Sequence, residues 1–242
     1  MKLISILLLT FLLQDTDPDP GQSDSHSKIG SYYIDSSTWQ IRSAEDDSAD
    51  DIVLITIDDG PKAFTTPGFL DLLDDFDAKA IFFINGYLAE PLPWVVREII
   101  DRGHIIGNHS WGHKRLSEIS PDSAKKEILK LNQWLKDEMN YIPRYFRAPF
   151  GVMTPYAEEL LDKSGMDNVV WSVNSYDWQY ENNPDTLYED AREIADRTIS
   201  SMEGGNIILM HDRAVSLVAL EKIMRELREQ GYRFVVPGGN SQ

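Results

Sequence analysis

Cysteine is absent from the 242-residue sequence, and basic residues are few. The absence of cysteine excludes disulfide bonds, thiolate zinc sites and thiol nucleophiles, so any metal ligands must be His, Asp, Glu or similar groups. The 40 acidic residues outnumber the 23 Lys and Arg, which gives a net charge of −17 at pH 7. Such a chain would repel the phosphates of nucleic acid or of an anionic membrane. A neutral partner such as a glycan fits better.

The sequence also has no apolar run of the roughly 18 residues that a membrane-spanning helix needs. Residues 3–13 form a short apolar stretch behind Met1 and Lys2, and this pattern is typical of a secretory signal. We therefore predict a secreted, periplasmic or cell-surface protein. Residues 1–13 are interpreted as a signal peptide or an uncleaved N-terminal anchor, and we expect no other membrane partner. The oligomeric state is left open.

Residues 14–50 differ in composition from the rest of the chain. Residues 14–28 are rich in Asp, Ser and Pro without apolar periodicity, which predicts a disordered linker. Residues 29–41 contain several aromatic side chains and are interpreted as a peripheral ribbon, followed by an acidic loop. The remaining residues, 51–238, are predicted to form a single domain.

From residue 51 onward, strand-like apolar runs alternate with helix-like amphipathic segments. Helix starts are marked by a Ser-Pro or Thr-Pro pair, as at Ser120 and Thr154, and several helix ends by a glycine. The predicted strands are residues 52–57, 79–84, 104–107, 145–147, 168–173, 206–210 and 232–236. The predicted helices are residues 67–76 with Thr66 as the cap, 93–102, a long helix from 121, 155–164, 183–202 and 216–230. This alternation favours a parallel α/β fold.

The polar residues at the strand ends indicate how that sheet closes. The carboxyl ends of six different predicted strands carry Asp58 and Asp59, Asn85, His109, Arg147, Asn174 and Asp177, and His211. In a closed barrel such ends converge on one mouth, whereas an open sheet brings together only those near its switch point. We therefore predict a distorted (β/α) barrel of seven or eight strands.

Two adjacent carboxylates, Asp58 and Asp59, follow directly on a predicted buried strand. They are costly there unless a cation lies between them. His109 and His113 are four residues apart, a spacing that predicts both imidazoles on one face of a helical turn. One carboxylate and two imidazoles leave positions open on Zn²⁺ or a similar ion, which is typical of a catalytic metal site. With a further histidine, His211, at another strand end, we hypothesise metal-assisted hydrolysis.

Each of these patterns also has a simpler interpretation. Histidines at helical spacing occur on solvated helix faces, and the Asp-Gly-Pro sequence at Asp59 is good turn chemistry. Arg147 could form an ordinary salt bridge, and Asp177 could cap a loop. Trp171 and Trp178 could be core residues or could line a sugar groove.

Five short motifs occur in a fixed order along residues 52–236. They are residues 56–61 (Thr-Ile-Asp-Asp-Gly-Pro), 109–113 (His-Ser-Trp-Gly-His), 147–150 (Arg-Ala-Pro-Phe), 174–178 (Asn-Ser-Tyr-Asp-Trp) and 209–211 (Leu-Met-His). With these motifs the chain resembles the polysaccharide deacetylases of carbohydrate esterase family 4, which are named for their NodB homology domain. The resemblance implies a NodB-like domain that removes acetyl groups from a polysaccharide.

The resemblance implies that Asp59, His109 and His113 bind a divalent metal, most simply Zn²⁺ with Co²⁺ as the alternative. Asp58 would then be the general base that takes a proton from the attacking water. Arg147 would pair with Asp58 and keep its carboxylate ionised and oriented. These roles agree with the chemistry, because a divalent ion makes water more acidic and an adjacent carboxylate can accept its proton.

The later motifs imply the general acid and the substrate contacts. His211 would protonate the departing amine, and Asp177 would hold His211 and favour its protonated form. The backbone N–H of Phe150 would donate to the developing oxyanion. Phe150, Trp178 and Leu209 are the expected substrate-binding residues.

One position departs from the pattern, because the fourth motif often begins with Asp where this chain has Asn174. An amide can still accept and donate hydrogen bonds, so we expect a tuned site that still works. The expected substrate is N-acetylglucosamine in chitin-like or peptidoglycan glycan. The alternatives are an O-acetyl xylan esterase and a catalytically silent glycan-binding module.

Overall fold

Short apolar segments form the strands of the structure, and amphipathic helices connect most of them. The computed structural model describes residues 31–238. Its strands are β1 (Tyr32–Asp35), β2 (Gln40–Ser43), β3 (Ile52–Gly60), β4 (Ala80–Ile84), β5 (Ile105–Asn108), β6 (Tyr145–Phe146), β7 (Asp167–Asn168), β8 (Val173–Asn174), β9 (Ile207–His211) and β10 (Arg233–Phe234). Its α-helices are α1 (Thr65–Asp75), α2 (Gly86–Ala89), α3 (Pro93–Asp101), α4 (Pro121–Met139), α5 (Pro155–Ser164), α6 (Leu187–Ser200) and α7 (Ala214–Glu229).

The main sheet is parallel and curls into a barrel. Its strand order is β7-β6-β5-β4-β3-β9-β8, and β10 pairs in parallel with the first residues of β3. The end strands β7 and β8 are connected by residues 169–172, which cross from one edge to the other. The Val169 N–H donates to the Phe146 carbonyl at 2.8 Å, and the Ser172 N–H donates to the Ile207 carbonyl at 3.1 Å. The predicted distorted (β/α) barrel is therefore confirmed, with a crossing segment in place of a ladder between its end strands.

The prediction of one strand over residues 168–173 is wrong, because this stretch is divided between β7, the crossing segment and β8. The cause is Arg147, whose guanidinium donates to the carbonyls of Val169 at 3.0 Å and Val170 at 3.2 Å. These bonds give the two carbonyls a partner outside the strand ladder and hold the segment in its crossing course. A long-range contact thus overrides a local sequence that favours a strand.

The alternation of side chains along β3 directs its residues to two different cores. Val53, Ile55 and Ile57 pack with the helices outside the barrel. Ile52 and Leu54 lie in a second cluster inside it, together with residues of β4, β6 and β9. Because successive side chains of a strand point to opposite faces, the same inner face continues through residues 56 and 58 towards the mouth of the barrel.

Helix boundaries follow the sequence signals where a cap is local. The Ser120 hydroxyl accepts from the Ser123 N–H at the start of α4, and Gly165 ends α5 in the left-handed conformation at φ 67°, as predicted. The prediction fails at α1, which begins at Thr65 with no cap from Thr66. The Thr66 hydroxyl bonds instead to the Lys62 N–H and to Asp212. The predicted start of α6 is also too early, because this helix begins at Leu187.

The amino-terminal ribbon closes the end of the barrel opposite the mouth. β1 and β2 pair antiparallel, and Ile41 of β2 is fully buried in the inner cluster with its N–H on the Gly205 carbonyl at 2.8 Å. The predicted signal segment, residues 1–13, lies outside the described residues, as does the predicted linker, residues 14–28, so both stay predictions, as do the domain boundaries. Among the helices of residues 31–238, none is long and apolar enough to cross a bilayer.

Candidate metal and catalytic site

The end of β3 presents its two carboxylates in different directions. Asp58 continues the inner face of the strand with Thr56, and the same nitrogen of Arg147 donates to both side chains at 2.8 Å. At Asp59 the register against β4 shifts, and the backbone enters the left-handed region at φ 64°. Such a bulge redirects the side chain. Asp58 is therefore buried inside the barrel mouth, whereas Asp59 faces the cleft above it.

His109 follows β5 and is held in one orientation by the residue that follows β6. Its Nδ1 lies 2.8 Å from the Arg147 carbonyl, so Nδ1–H is the donor and Nε2 keeps its lone pair. That Nε2 lies 3.6 Å from Asp59 Oδ1. Burial lowers the pKa of His109 to about 3, which leaves the ring neutral near pH 7. A neutral imidazole whose other nitrogen donates to a carbonyl is the usual form of a histidine metal ligand.

His113 reaches the same point from an irregular loop. The prediction that the four-residue spacing forms a helical turn is wrong, because Ser110 has φ 66° and His113 has φ 52°. The loop turns back on itself, and the His113 N–H donates to the Ser110 hydroxyl at 3.0 Å. His113 Nε2 nevertheless lies 3.3 Å from Asp59 Oδ1. The two histidines are brought together by loop geometry rather than by helix periodicity.

The residues present fit a divalent cation. One ligand atom from each of Asp59, His109 and His113 lies within 4.8 Å of the others. Among the described residues, Asp59 Oδ1 is buried and has no hydrogen-bond partner. An unpaired buried carboxylate oxygen facing two imidazole nitrogens is costly without a positive charge. These three residues could therefore hold a metal ion.

Asp58 forms a buried pair with Arg147 beside these three residues. Arg147 Nη1 donates to Asp58 Oδ1 at 2.8 Å, and Asp58 and Arg147 are 3% and 1% exposed. Burial raises the pKa of Asp58, and the charge and hydrogen bond of Arg147 oppose that rise without cancelling it. The second carboxylate oxygen, Oδ2, lies 3.7 Å from His109 Nε2. Asp58 thus has one oxygen held and one directed towards the candidate metal site.

His211 forms the second pair, at the end of β9. Its Nδ1 lies 2.6 Å from Asp177 Oδ1, and its own N–H donates to Asp177 Oδ2 at 2.7 Å. Burial alone would lower the pKa of His211, but the hydrogen bond and charge of Asp177, with the charges of Asp58 and Asp59, raise it above its ordinary value. Burial alone would raise the pKa of Asp177. The hydrogen bonds from His211 and Ser216 and the charge of His211 outweigh burial and lower that pKa.

One cleft of about 700 Å³ at the barrel mouth is lined by Asp58, by His211 and by the three candidate metal ligands. The side chains of Phe150, Trp178 and Leu209, the predicted substrate-binding residues, all line it, as does Trp171. Asn174 lines it too, and its Oδ1 accepts the Tyr176 N–H at 2.8 Å. The amide therefore stabilises the loop that carries Asp177.

Several residues of the site have no counterpart among the sequence predictions. Lys62, Arg115 and Arg213 line the cleft, although nothing in their local sequence indicates a shared position. Ser216 donates to Asp177 Oδ2, and Asp212 accepts from Thr65 and Thr66 at the start of α1. The position of Asp212 directly after a predicted catalytic histidine was the one available signal.

Known glycan deacetylases are similar to this chain in sequence. The sequence profile described as polysaccharide deacetylase matches residues 45–169. The chain is 32% identical over 206 residues to a peptidoglycan-N-acetylglucosamine deacetylase of Bacillus cereus, covering 82% of this chain and 89% of that protein. It is also 32% identical over 184 residues to the peptidoglycan-N-acetylglucosamine deacetylase PgdA of Listeria monocytogenes, covering 76% of this chain but only 37% of PgdA.

A solved structure shows the same architecture. The crystal structure of the Bc1960 peptidoglycan N-acetylglucosamine deacetylase, in complex with 4-naphthalen-1-yl-N-oxidanyl-benzamide, superposes with a TM-score of 0.70 at 31% identity. The match covers 77% of this chain and 86% of that one. The likeness therefore includes the barrel that positions the cleft.

Proposed function

We start from the fact that the chain belongs to the polysaccharide deacetylase family, and we propose that it is a metal-dependent hydrolase that removes N-acetyl groups from N-acetylglucosamine units of a polysaccharide. The observation that carries this proposal is the convergence of Asp59, His109 and His113 in the cleft, with the Asp58–Arg147 and His211–Asp177 pairs beside them. A metal triad with a separate base and acid is what amide hydrolysis requires.

Asp59, His109 and His113 would hold the cation, and we propose Zn²⁺, with Co²⁺ as the alternative. A divalent cation there supplies Lewis-acid chemistry, because it polarises a carbonyl and makes water more acidic. Asp58 accepts the proton of the attacking water on Oδ2, since Arg147 occupies Oδ1. The raised pKa of Asp58 suits this role, because a base whose pKa lies nearer the working pH is matched to its task.

His211 donates a proton to the departing amine nitrogen from Nε2. Its other nitrogen, Nδ1, is held by Asp177 at 2.6 Å, which fixes both the tautomer and the ring orientation. The raised pKa of His211 keeps a larger fraction of it protonated near neutral pH. The backbone N–H of Phe150, at the edge of the cleft, donates to the oxygen that becomes negatively charged.

The charge of the cleft favours a carboxylate-bearing glycan over a neutral one. The chain has 40 acidic residues, and among the described residues two of them, Asp58 and Asp59, line the cleft. Three basic residues, Lys62, Arg115 and Arg213, also line it. Local charge, rather than net charge, acts on a bound ligand at short range. We therefore favour peptidoglycan glycan, whose muramic acid residues carry carboxylates, over chitin.

We also propose that the protein acts outside the cytoplasm, on the pattern of residues 1–13. Peptidoglycan is an extracytoplasmic polymer, so export and substrate agree. Recovery of the full-length protein in the cytoplasmic fraction of its native cells would contradict this proposal.

The deciding experiment measures acetate release from peptidoglycan, chitin oligomers and acetylated xylan by the Zn²⁺-loaded and Co²⁺-loaded protein. We expect release from peptidoglycan and, more slowly, from chitin oligomers. Release from acetylated xylan alone would favour an O-acetyl esterase. Glycan binding without acetate release from any substrate would identify a catalytically silent glycan-binding module.

A further inference from the structure

We infer that Glu127 of α4 is a positioning residue that sets the place of His113 in the metal site. The inference rests on the proposed metal-dependent function. His109 follows a strand directly, whereas His113 lies in a loop whose backbone is irregular at Ser110 and at His113 itself. Such a loop needs an external support if His113 Nε2 is to stay near Asp59 Oδ1.

Glu127 supplies that support through both its backbone and its side chain. Its carbonyl accepts the Trp111 N–H at 2.8 Å, and its Oε2 accepts the Gly112 N–H at 2.6 Å. The remaining N–H between the two histidines, that of Ser110, donates to Asn108 Oδ1 at 2.7 Å. Two of the three residues between the proposed ligands are therefore fixed by one residue of α4.

The approach of the carboxylate depends on glycine at position 112. A Cβ added at Gly112 would lie 3.2 Å from Glu127 Oε2 and 3.4 Å from Oε1, which is closer than most such contacts. Gly112, which has no side chain, therefore lies at the point where the Glu127 carboxylate contacts the loop backbone. This match between Gly112 and Glu127 indicates a specific contact.

Glu127 is unusual as a buried acidic residue in the middle of a helix. It is 7% exposed, and its Oε1 pairs with Lys114 Nζ at 2.8 Å. Lys114 directly follows His113, so the ion pair holds the loop on the other side of the proposed ligand. A buried carboxylate is costly unless its oxygens are bonded, and here both oxygens bond to the loop that carries His113.

Two conservative variants separate the reach of the side chain from its charge. Glu127→Asp keeps the charge but withdraws the carboxylate by one methylene group from Gly112. Glu127→Gln loses the charge but keeps an oxygen that can accept the Gly112 N–H. The matched control is Glu138→Ala, which removes an exposed acidic side chain from the same helix.

The measurements are the Co²⁺ dissociation constant and the visible absorption spectrum of the Co²⁺-loaded protein, which reports the coordination geometry. We expect Glu127→Asp to weaken Co²⁺ binding about tenfold, as for other outer-shell partners of metal ligands, and to change the spectrum. Glu127→Gln should stay within about threefold of the wild type, and Glu138→Ala should match it. Weaker folding alone would leave the spectrum of the loaded site unchanged.

The inference is overturned if folded Glu127→Asp binds Co²⁺ with wild-type affinity and spectrum. It is also overturned if both conservative variants lose affinity equally, because the retained acceptor of Gln would then make no difference. Either result leaves the proposed function intact as long as the wild type binds Co²⁺. Failure of the wild type to bind Co²⁺ would instead contradict the proposed function itself.

Discussion

Two buried carboxylates beside the cleft differ in their surroundings, and these drive the two pKa values in opposite directions. Asp58 and Asp177 are 3% and 0% exposed. Burial raises the pKa of Asp58, despite its bond to Arg147. Burial acts the same way on Asp177, but there the hydrogen bonds outweigh it and lower the pKa.

The difference comes from the number of donors that each carboxylate accepts. Asp177 accepts from the ring and the backbone N–H of His211 and from the hydroxyl of Ser216, so both of its oxygens are occupied. Asp58 has a bonded Oδ1, and its Oδ2 faces His109 at 3.7 Å. Hydrogen bonds to the charged form stabilise it. Asp177 is thus a fixed anion that holds the general acid His211, whereas Asp58 can itself accept a proton.

The largest effect should come from Asp58→Asn, which keeps the shape but removes the proton acceptor. We expect a loss of about 10³-fold in kcat, within the usual range for a general base. Metal content should be unchanged, because Asp58 is not one of the three proposed ligands. Elemental analysis after dialysis and acetate release under saturating substrate measure both quantities. Retained turnover would remove Asp58 from the role of base.

His113→Ala tests whether metal binding is separate from the pairs that Asp58 and Asp177 form, because it removes a proposed ligand and leaves both pairs in place. We expect metal affinity to fall by more than the 10-fold to 100-fold typical of outer-shell changes. Elemental analysis of the dialysed variant, with Asp58→Asn as its matched control, makes the measurement. Full metal occupancy in His113→Ala would mean that the ligand set is misassigned.

Asp177→Asn should convert the fixed anion into a neutral partner. Asp177 raises the pKa of His211, so its replacement should lower that pKa. Because the general acid must be protonated, the alkaline limb of the kcat/KM profile should move to lower pH. We expect kcat at neutral pH to fall about 100-fold. An alkaline limb that stays in place would argue against His211 as the acid.

The sequence predicts the parts of this site that depend on strands. A short apolar run predicts β3, and the carboxyl end of that strand necessarily carries Asp58 and Asp59. The same reasoning locates His109 and His211 after β5 and at the end of β9. Since the carboxyl ends of parallel strands meet at one mouth, no detailed geometry was needed to bring these residues together.

The sequence does not predict the parts that depend on long-range contacts. The loop at His113 takes its shape from Glu127, and the segment 169–172 takes its course from Arg147. Local spacing favoured a helical turn in the first case and a strand in the second. The positive cleft lining was missed for a related reason, since a net charge of −17 averages over the whole surface and contains no information about one cleft.

The smallest effect should come from Ser216→Ala, which removes one of the three donors to Asp177 and leaves His211 in place. We expect the free energy of unfolding near pH 7 to fall by about 1 kcal/mol, the usual net contribution of one hydrogen bond, and kcat to change only a few-fold. Denaturant unfolding measures the first quantity. The matched control is Ser164→Ala, which removes an exposed helical hydroxyl.

The same variant should also unfold at a higher pH on acidification. The folded pKa of Asp177 is lowered, so its stabilisation is fully present above the unfolded value near 3.9 and is lost as pH falls through the folded value. Removal of a donor moves the folded pKa back towards that unfolded value, so the variant has less of this stabilisation above the unfolded value and reaches zero net stability at a higher pH. An acid-unfolding midpoint equal to that of the wild type would show that the two His211 bonds alone stabilise the Asp177 anion. The difference in pKa between Asp177 and Asp58 would then depend on the two His211 bonds and not on the Ser216 bond.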